Sequence, residues 1–309
     1  MLTDIFAYRY LEQPIWTKYT EIEKRLLNQA FAIVKDAIPY YGYEGKVNEN
    51  NKVKWRLLHD RLSRELGIDE LSTRYYSYTQ KNVAGQEYPV SGWFSWDHVC
   101  NQFVNVKYSD QFDADRFIKE RISFVELALR LRGEEVSLAN LHLNEKLKQT
   151  ELHDLTRKTA HQRMGLTVPG SSVEAVKAMN LSMNSVYEAQ VDELNERFRR
   201  AKVPITYHNG FIQFSVDQQI ERNIAKPFWN LVADPLWKNV DIDMKEALDR
   251  RDSNDKDPSI FAAKALESAV KIVSDAKGLT RGTENGAAQY VDNLMSKKMA
   301  DIWMYGRAK

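Results

Sequence analysis

The chain has 309 residues, with 44 Lys and Arg against 43 Asp and Glu, and its formal charge of +1 supplies no global field to draw in nucleic acid. Any such binding must come from local patches, and the one cysteine, Cys100, excludes an internal disulfide framework and fits a reducing cytosol. The amino terminus has no basic start followed by an apolar run, and no stretch reaches about 18 uninterrupted apolar residues, so a cytoplasmic protein without membrane contact is expected.

Residues 17–38 place Ile22, Leu26, Phe31 and Val34 at near-helical spacing before Pro39 and the Tyr/Gly-rich turn "YYGYEGKVN" stop the helix. A second helix is predicted over 48–66, with Val53, Leu57, Leu58, Leu62 and Leu66 inward and Gly67 ending it. From Tyr75 to Val106 the text is rich in Tyr, Trp, Phe and Val with Gly and Pro interruptions, which suggests short strands or an irregular aromatic layer. Helices resume at 115–132, where Ile118, Ile122, Val125 and Leu129 make a stripe, and continue through 134–160.

"MGLTVPGSS", residues 164–172, reads as a linker or ordered loop and a possible sub-boundary. The helix predicted over 172–201 gathers Met179, Met183, Tyr187, Val191, Leu194 and Phe198 on one face. In 205–214, "ITYHNGFIQF", Asn209 and Gly210 supply the positive φ angles of a type I′ turn between two alternating strands. Residues 217–232 give a short broken helix, 239–251 another, and the last helix runs from about 284 to 300.

Residues 257–279 carry their own punctuation: Asp257 as N-cap, Pro258 in the first turn and Gly278 after the last. Ala262, Ala265, Leu266, Ala269, Val270, Ile272 and Val273 form an apolar stripe that must be covered. Lys264, Glu267, Ser268, Lys271 and Asp275 stand opposite, with Glu267 and Lys271 in the favourable i,i+4 order of a solvated face. The fold class is α+β and predominantly α-helical, with a domain boundary near 235 that separates residues 1–235 from 236–309.

Candidate chemistry is sparse. His98 and Cys100 lie two apart in an apolar, strand-like run, where they could share a face as base and thiol, against the simpler reading of a buried structural cysteine. His59-Asp60 and His153-Asp154 are two His-Asp dipeptides of the kind a metal-dependent phosphohydrolase would need, provided that all four side chains converge. No phosphate-binding Gly-rich loop with Lys, zinc-binding Cys pair or nucleophile elbow is present, and neither a metal nor a cofactor is expected. Lys52, Lys54 and Arg56 around Trp55, and Arg197, Arg199 and Arg200 at a helix end, could touch a nucleic-acid backbone, with the tryptophan stacking a base. The alternative is that these cations favour the helix dipole while their stems cover apolar surface.

Several blocks carry a family likeness: "MLTDIFAYRYLEQPIW", "KVNENNKVKWRLLHDRLSRELG", "ADRFIKERISFVELALR", "VDELNERFRRAKVPITYHNGFIQF" and "KPFWNLVADPLWKNVDIDMKEALDRRD" with the helix that follows. They resemble AbiJ-type bacterial abortive-infection proteins with the fourth class of AbiJ amino-terminal domain. The resemblance implies a sensor or regulatory region followed by a helical HEPN module, whose usual activity is metal-independent RNA cleavage during defence against phage. It implies RNA and either a second copy or an intact HEPN subunit as partners, and places Glu267 and Lys271 beside the family's cleft.

The resemblance also implies an Arg-x4-6-His motif near the start of the last bundle helix, with His as general base or acid and Arg stabilising the phosphorane charge. That motif is absent: Arg157 and His161 are too close, Arg200 and His208 too far, and no histidine follows residue 258. The family pattern continues past "YVDNLMSKK" into another helix, whereas this chain reads "MADIWMYGRAK" there. The expectation is an incomplete HEPN-like module without ribonuclease activity, whose Met299, Ile302, Trp303 and Met304 lack the helix they should pack under.

Overall fold

The computed structural model describes residues 5–83, 85–164, 170–215, 224–252 and 257–296. In chain order the elements are α1 (Phe6–Arg9), α2 (Glu21–Ala37), α3 (Glu49–Leu66), β1 (Tyr75–Lys81), β2 (Glu87–Trp93), α4 (Trp96–Asn105), α5 (Ala114–Leu141), α6 (Leu143–Arg163) and α7 (Val173–Arg200). They continue with β3 (Ile205–His208), β4 (Phe211–Phe214), α8 (Lys226–Val232), α9 (Lys238–Asp252), α10 (Pro258–Ala276) and α11 (Ala287–Ser296). The α+β, mainly helical class holds, with the strands confined to two separate two-stranded hairpins.

Local chemistry fixes the ends. Thr20 caps α2 through a capping box in which its hydroxyl accepts from Ile22 N–H and the Glu23 carboxylate accepts from Thr20 N–H at 2.7 Å. The Asn48 and Asp113 side chains accept from Asn51 N–H (3.1 Å) and Arg116 N–H (2.7 Å), which starts α3 and α5. Gly67 and Gly278 take left-handed backbone at φ 68° and 64°, and the paired bonds Ile68 N–H to Ser63 O and Leu279 N–H to Ser274 O close both helices. At the tip of the second hairpin Asn209 and Gly210 have φ of 43° and 91°, as a type I′ turn demands, and a Cβ on Gly210 would lie 2.9 Å from the Arg130 side chain.

The chain divides into two compact units, Met1–Ile212 and Gln213–Lys309. In the first, α5 is the central post, packed by α1, α2, α3 and α7. It buries residues all round rather than along the expected stripe, so Asp115, Lys119, Arg121 and Glu126 are buried beside Ile118, Ile122, Val125 and Leu129. Each buried charge is partnered. Lys119 donates to the carbonyls of Tyr10 (2.6 Å) and Gln13 (2.7 Å) and pairs with Asp115 at 2.5 Å, while Asp115 accepts from Ile15 and Trp16 N–H. The Arg121 guanidinium lies 3.6 Å from the Phe117 ring centroid and donates to Phe117 O, and burial pulls its pKa down to about 10.

Several expectations are corrected. Ile22 and Val53, expected inward, are 60% and 65% exposed: α2 buries its Leu26, Leu27, Phe31 and Val34 face, and Val53 lies two residues, more than half a turn, from Trp55. The run containing His98 and Cys100 is α4, not a strand. At helical spacing residues two apart point roughly opposite ways, so the fully buried Cys100 and the half-buried His98 share no face. In α7 the stripe is buried only at its end, by Leu194 and Phe198, and Met179 is exposed. Most of the 164–172 segment and the first part of 217–232 lie outside the described residues.

The core of the second unit joins Trp229 and Val232 of α8, Val240 of α9 and Ala265 of α10, with Phe228, Trp237, Met244, Leu248, Ala269 and Ile272 around them. Asp257 does not cap α10: it is left-handed (φ 46°) and its carboxylate accepts from the Ser259 hydroxyl rather than from a first-turn N–H. Leu266 and Ala262 face out, while Ala265, Ala269 and Ile272 meet the core. The last helix begins at Ala287, not 284, because Glu284 is held in the preceding loop, accepting from the N–H groups of Arg281 and Gly282 and from Asn293 Nδ2. Met299, Ile302, Trp303 and Met304 lie outside the described residues.

Candidate aromatic and cationic binding site

The first hairpin pairs Tyr75 with Trp93 and Lys81 with Glu87 in antiparallel register, and an outer bond from Phe94 N–H to Arg74 O (2.8 Å) extends the ladder by one step. No residue of either strand is buried. Two strands alone in water are marginal, so this hairpin rests on its cross-strand rings. Tyr75 and Trp93 meet edge to face at 5.1 Å, and Tyr76 packs on Phe94 at 4.7 Å. Gly92 is required opposite Tyr76, because a Cβ there would lie 2.5 Å from the Tyr76 hydroxyl.

At the foot of the hairpin, where β2 turns into α4, cations join the rings. The Arg74 guanidinium carbon is 3.9 Å from the Trp96 centroid and 5.3 Å from that of Trp93, and its Nε donates to Phe94 O at 3.3 Å. From α3, Arg56 reaches to 5.7 Å from Trp96, with Asp60 as a 3.6 Å partner. His59 lies 4.9 Å from Trp96. Leu71 N–H donates to His59 Nε2 at 3.3 Å, which leaves the proton on Nδ1 to face Asp60 at 2.9 Å. His59 is thus buried scaffold beneath the cluster.

The other predicted site residues disperse. Trp55 cannot stack a base: it is 1% exposed, its Nε1–H donates to Ile38 O at 2.8 Å, and its ring packs against Phe31 and Phe124. Lys52 pairs with Glu49 at 3.0 Å and Lys54 with Glu135 at 2.5 Å. On α7, Arg197 pairs with Glu193 (2.7 Å), and Arg199 and Arg200 share Glu196 at 2.5 and 2.7 Å, which holds that carboxylate down to about pKa 2. Glu267 and Lys271 stand exposed on α10 without an ion pair between them.

The metal-hydrolase alternative requires His59, Asp60, His153 and Asp154 to converge, and they form no such group. Asp154 accepts from Ser172 N–H at 2.5 Å and from the Ser171 hydroxyl, tying the start of α7 to α6, and among the described residues no three His, Cys, Asp or Glu side chains could hold a metal ion. Among the same residues no helix is long and apolar enough to cross a membrane. Arg74, Tyr75, Trp93 and Trp96 escaped the sequence reading. Its signal was the aromatic density of 75–106, which reads equally well as a buried layer.

Residues 4–230 match the family model described as AbiJ N-terminal domain 4. The chain belongs to this family. The match covers the first unit from residue 4 onward, the Arg74–Trp96 cluster included, and runs on through the start of α8. The family's name links it to abortive infection, a form of phage defence. No curated protein and no solved structure matches the chain.

Proposed function

We propose that this AbiJ-domain chain acts in phage defence as an abortive-infection protein, that residues 236–309 form an HEPN-like helical module, and that the 309 residues do not themselves cleave RNA. The observation that carries this reading is the family match over 4–230 taken with the histidines: there are six, the last is His208, and the second unit therefore has none. An Arg-x4-6-His pair would use imidazole to move the 2′-hydroxyl proton, and the cations of the second unit have no such base beside them. Incubating the chain with tRNA and total RNA in chelator, and plating phage on cells that express it, tests both halves. The expected result is intact RNA and reduced plaque formation; robust metal-independent cleavage overturns the non-cleaving reading, and unchanged plating overturns the defence reading.

A second reading is that the chain is a regulatory protein that binds RNA or assembles with an intact HEPN subunit. It is favoured by the apolar side chains that the second unit leaves exposed, among them Leu236, Ile242, Ile260 and Leu266. Native mass measurement after co-expression with an intact HEPN subunit, together with an RNA gel shift, decides it: a mixed complex or an RNA shift supports this reading, and a strictly monomeric chain with no RNA shift removes it.

A further inference from the structure

We propose that the foot of the first hairpin is a stacking site for single-stranded nucleic acid, with Trp93 and Tyr75 receiving base faces and Arg74 and Arg56 meeting phosphates. The inference goes beyond the defence reading and stands without it.

Three observations converge. Trp93 is 63% exposed and Tyr75 47%, yet their rings hold a fixed edge-to-face geometry across the strands, which presents flat apolar surface at little further cost in side-chain entropy. Beside them the Arg74 guanidinium is oriented by Trp96 and by its Nε bond to Phe94 O, and among the described residues no carboxylate pairs with it. That separates it from Lys52, Lys54, Arg197, Arg199 and Arg200, each of which has a carboxylate partner. Arg56 adds a second cation over the same Trp96 ring, and its exposed pair to Asp60 is looser, at 3.6 Å, than the 2.5–3.0 Å pairs of those five.

Ring faces with adjacent guanidiniums suit unpaired bases, whose π-faces stack without regard to sequence, and offer nothing to a duplex whose bases are already stacked. A protein partner is less well matched, because the face carries two cations and no contiguous aliphatic surface. Glu70, which accepts from Arg74 N–H, and Asp60, which pairs with Arg56, offset part of the local positive charge, so stacking rather than phosphate contact must dominate.

Fluorescence anisotropy with the 309-residue chain and labelled single-stranded oligouridylate and oligothymidylate, against a duplex of equal length, tests this. Either single strand, or both, is expected to bind more tightly than the duplex, and the comparison of the two identifies RNA or DNA as the source. Two phosphate contacts give a shallow salt dependence, with log K falling by about 1.4 per decade of salt. Trp93→Ala is expected to weaken binding roughly ten- to a hundredfold. Arg74→Lys, which keeps the charge and loses the planar stack, should also weaken it, whereas Tyr88→Ala on the opposite hairpin face should leave it within about twofold. Unchanged affinity in Trp93→Ala and Arg74→Lys, equal binding of the duplex, or a dimer that Trp93→Ala dissociates and that binds no single strand, each overturns the proposal. Circular dichroism of every variant shows whether a loss is local.

Discussion

Arg9 and Glu126, 117 residues apart, meet in a two-pronged ion pair at 3.2 and 2.5 Å in which the Glu126 side chain is wholly buried. The same carboxylate takes Arg130 at 2.8 Å and Ile212 N–H at 2.7 Å, and Arg9 donates in turn to Ile212 O at 2.9 Å. Phe211 lies under both guanidiniums, 5.1 Å from Arg9 and 4.2 Å from Arg130. One carboxylate therefore fastens the short α1, the central α5 and the second hairpin to each other.

Glu126→Gln keeps the shape but removes the charge and turns one acceptor oxygen into an amide donor that faces other donors. Breaking one side of a buried pair costs about 3–5 kcal/mol, so the first unit should melt on the order of 10 °C lower. Urea unfolding of the variant checks the first figure and calorimetry the second; a change under about 1 kcal/mol would show that the network is not what holds the hairpin.

Two tryptophans should respond to very different degrees. Trp55→Ala removes a buried ring between Phe31 and Phe124 and orphans Ile38 O, at a cost of about 3–5 kcal/mol, while Trp93→Ala on the exposed hairpin should shift stability by about 0.5 kcal/mol or less. Denaturant midpoints for the two variants give a direct comparison. Because neither strand buries a residue, a large loss of global stability from Trp93→Ala would mean that the hairpin is coupled to the core of the first unit rather than peripheral to it.

Gly133 sits where the Tyr187 hydroxyl approaches to 2.5 Å of an added Cβ. Gly133→Ala gains about 1 kcal/mol of helix propensity but pushes Tyr187 off its 3.2 Å bond to the fully buried Tyr207, at a cost of about 1–3 kcal/mol. The expected net effect is a modest destabilisation, and the double variant with Tyr187→Phe should be less destabilised than the two single losses sum to. Strict additivity in that cycle refutes the clash.

The bond from Ser172 N–H holds the Asp154 carboxyl below its ordinary pKa, helped by the Ser171 and Ser172 side chains and Arg157. Since the folded value lies under the unfolded one, the stabilisation is present above the ordinary carboxylate range near 3.9 and is lost as pH falls through the lowered folded value. The protection factor of the Ser172 amide, its exchange measured against the intrinsic rate at each pH, should fall on acidification, and Asp154→Asn should show the lower protection already at neutral pH with no further acid dependence from this site.

Much of the local structure was legible because it rests on neighbours in sequence. Gly67 and Gly278 end helices through left-handed backbone that other residues adopt at a cost, and Asn209-Gly210 could turn a hairpin in one favoured way. The 96–105 stretch misled because Trp, Val, Cys and Phe favour strands, yet Val99, Cys100, Phe103 and Val104 sit at helical spacing and bury one face of α4. Ile22 and Val53 misled for a different reason: amphipathic spacing names a stripe but not which of its edges a neighbouring helix covers.

The sequence by itself determined the helical class, the glycines that end two helices and turn the second hairpin, the family and the absence of a histidine after His208, since composition and short-range backbone preference need no partner. Only the tertiary structure decided that Trp55 is core while Trp93 is surface, that Lys54 pairs with Glu135, and that Arg74 and Trp96 come together at the hairpin foot. Burial and charge pairing depend on what lies across a packed interface, often a hundred residues away, and no local pattern encodes that neighbour.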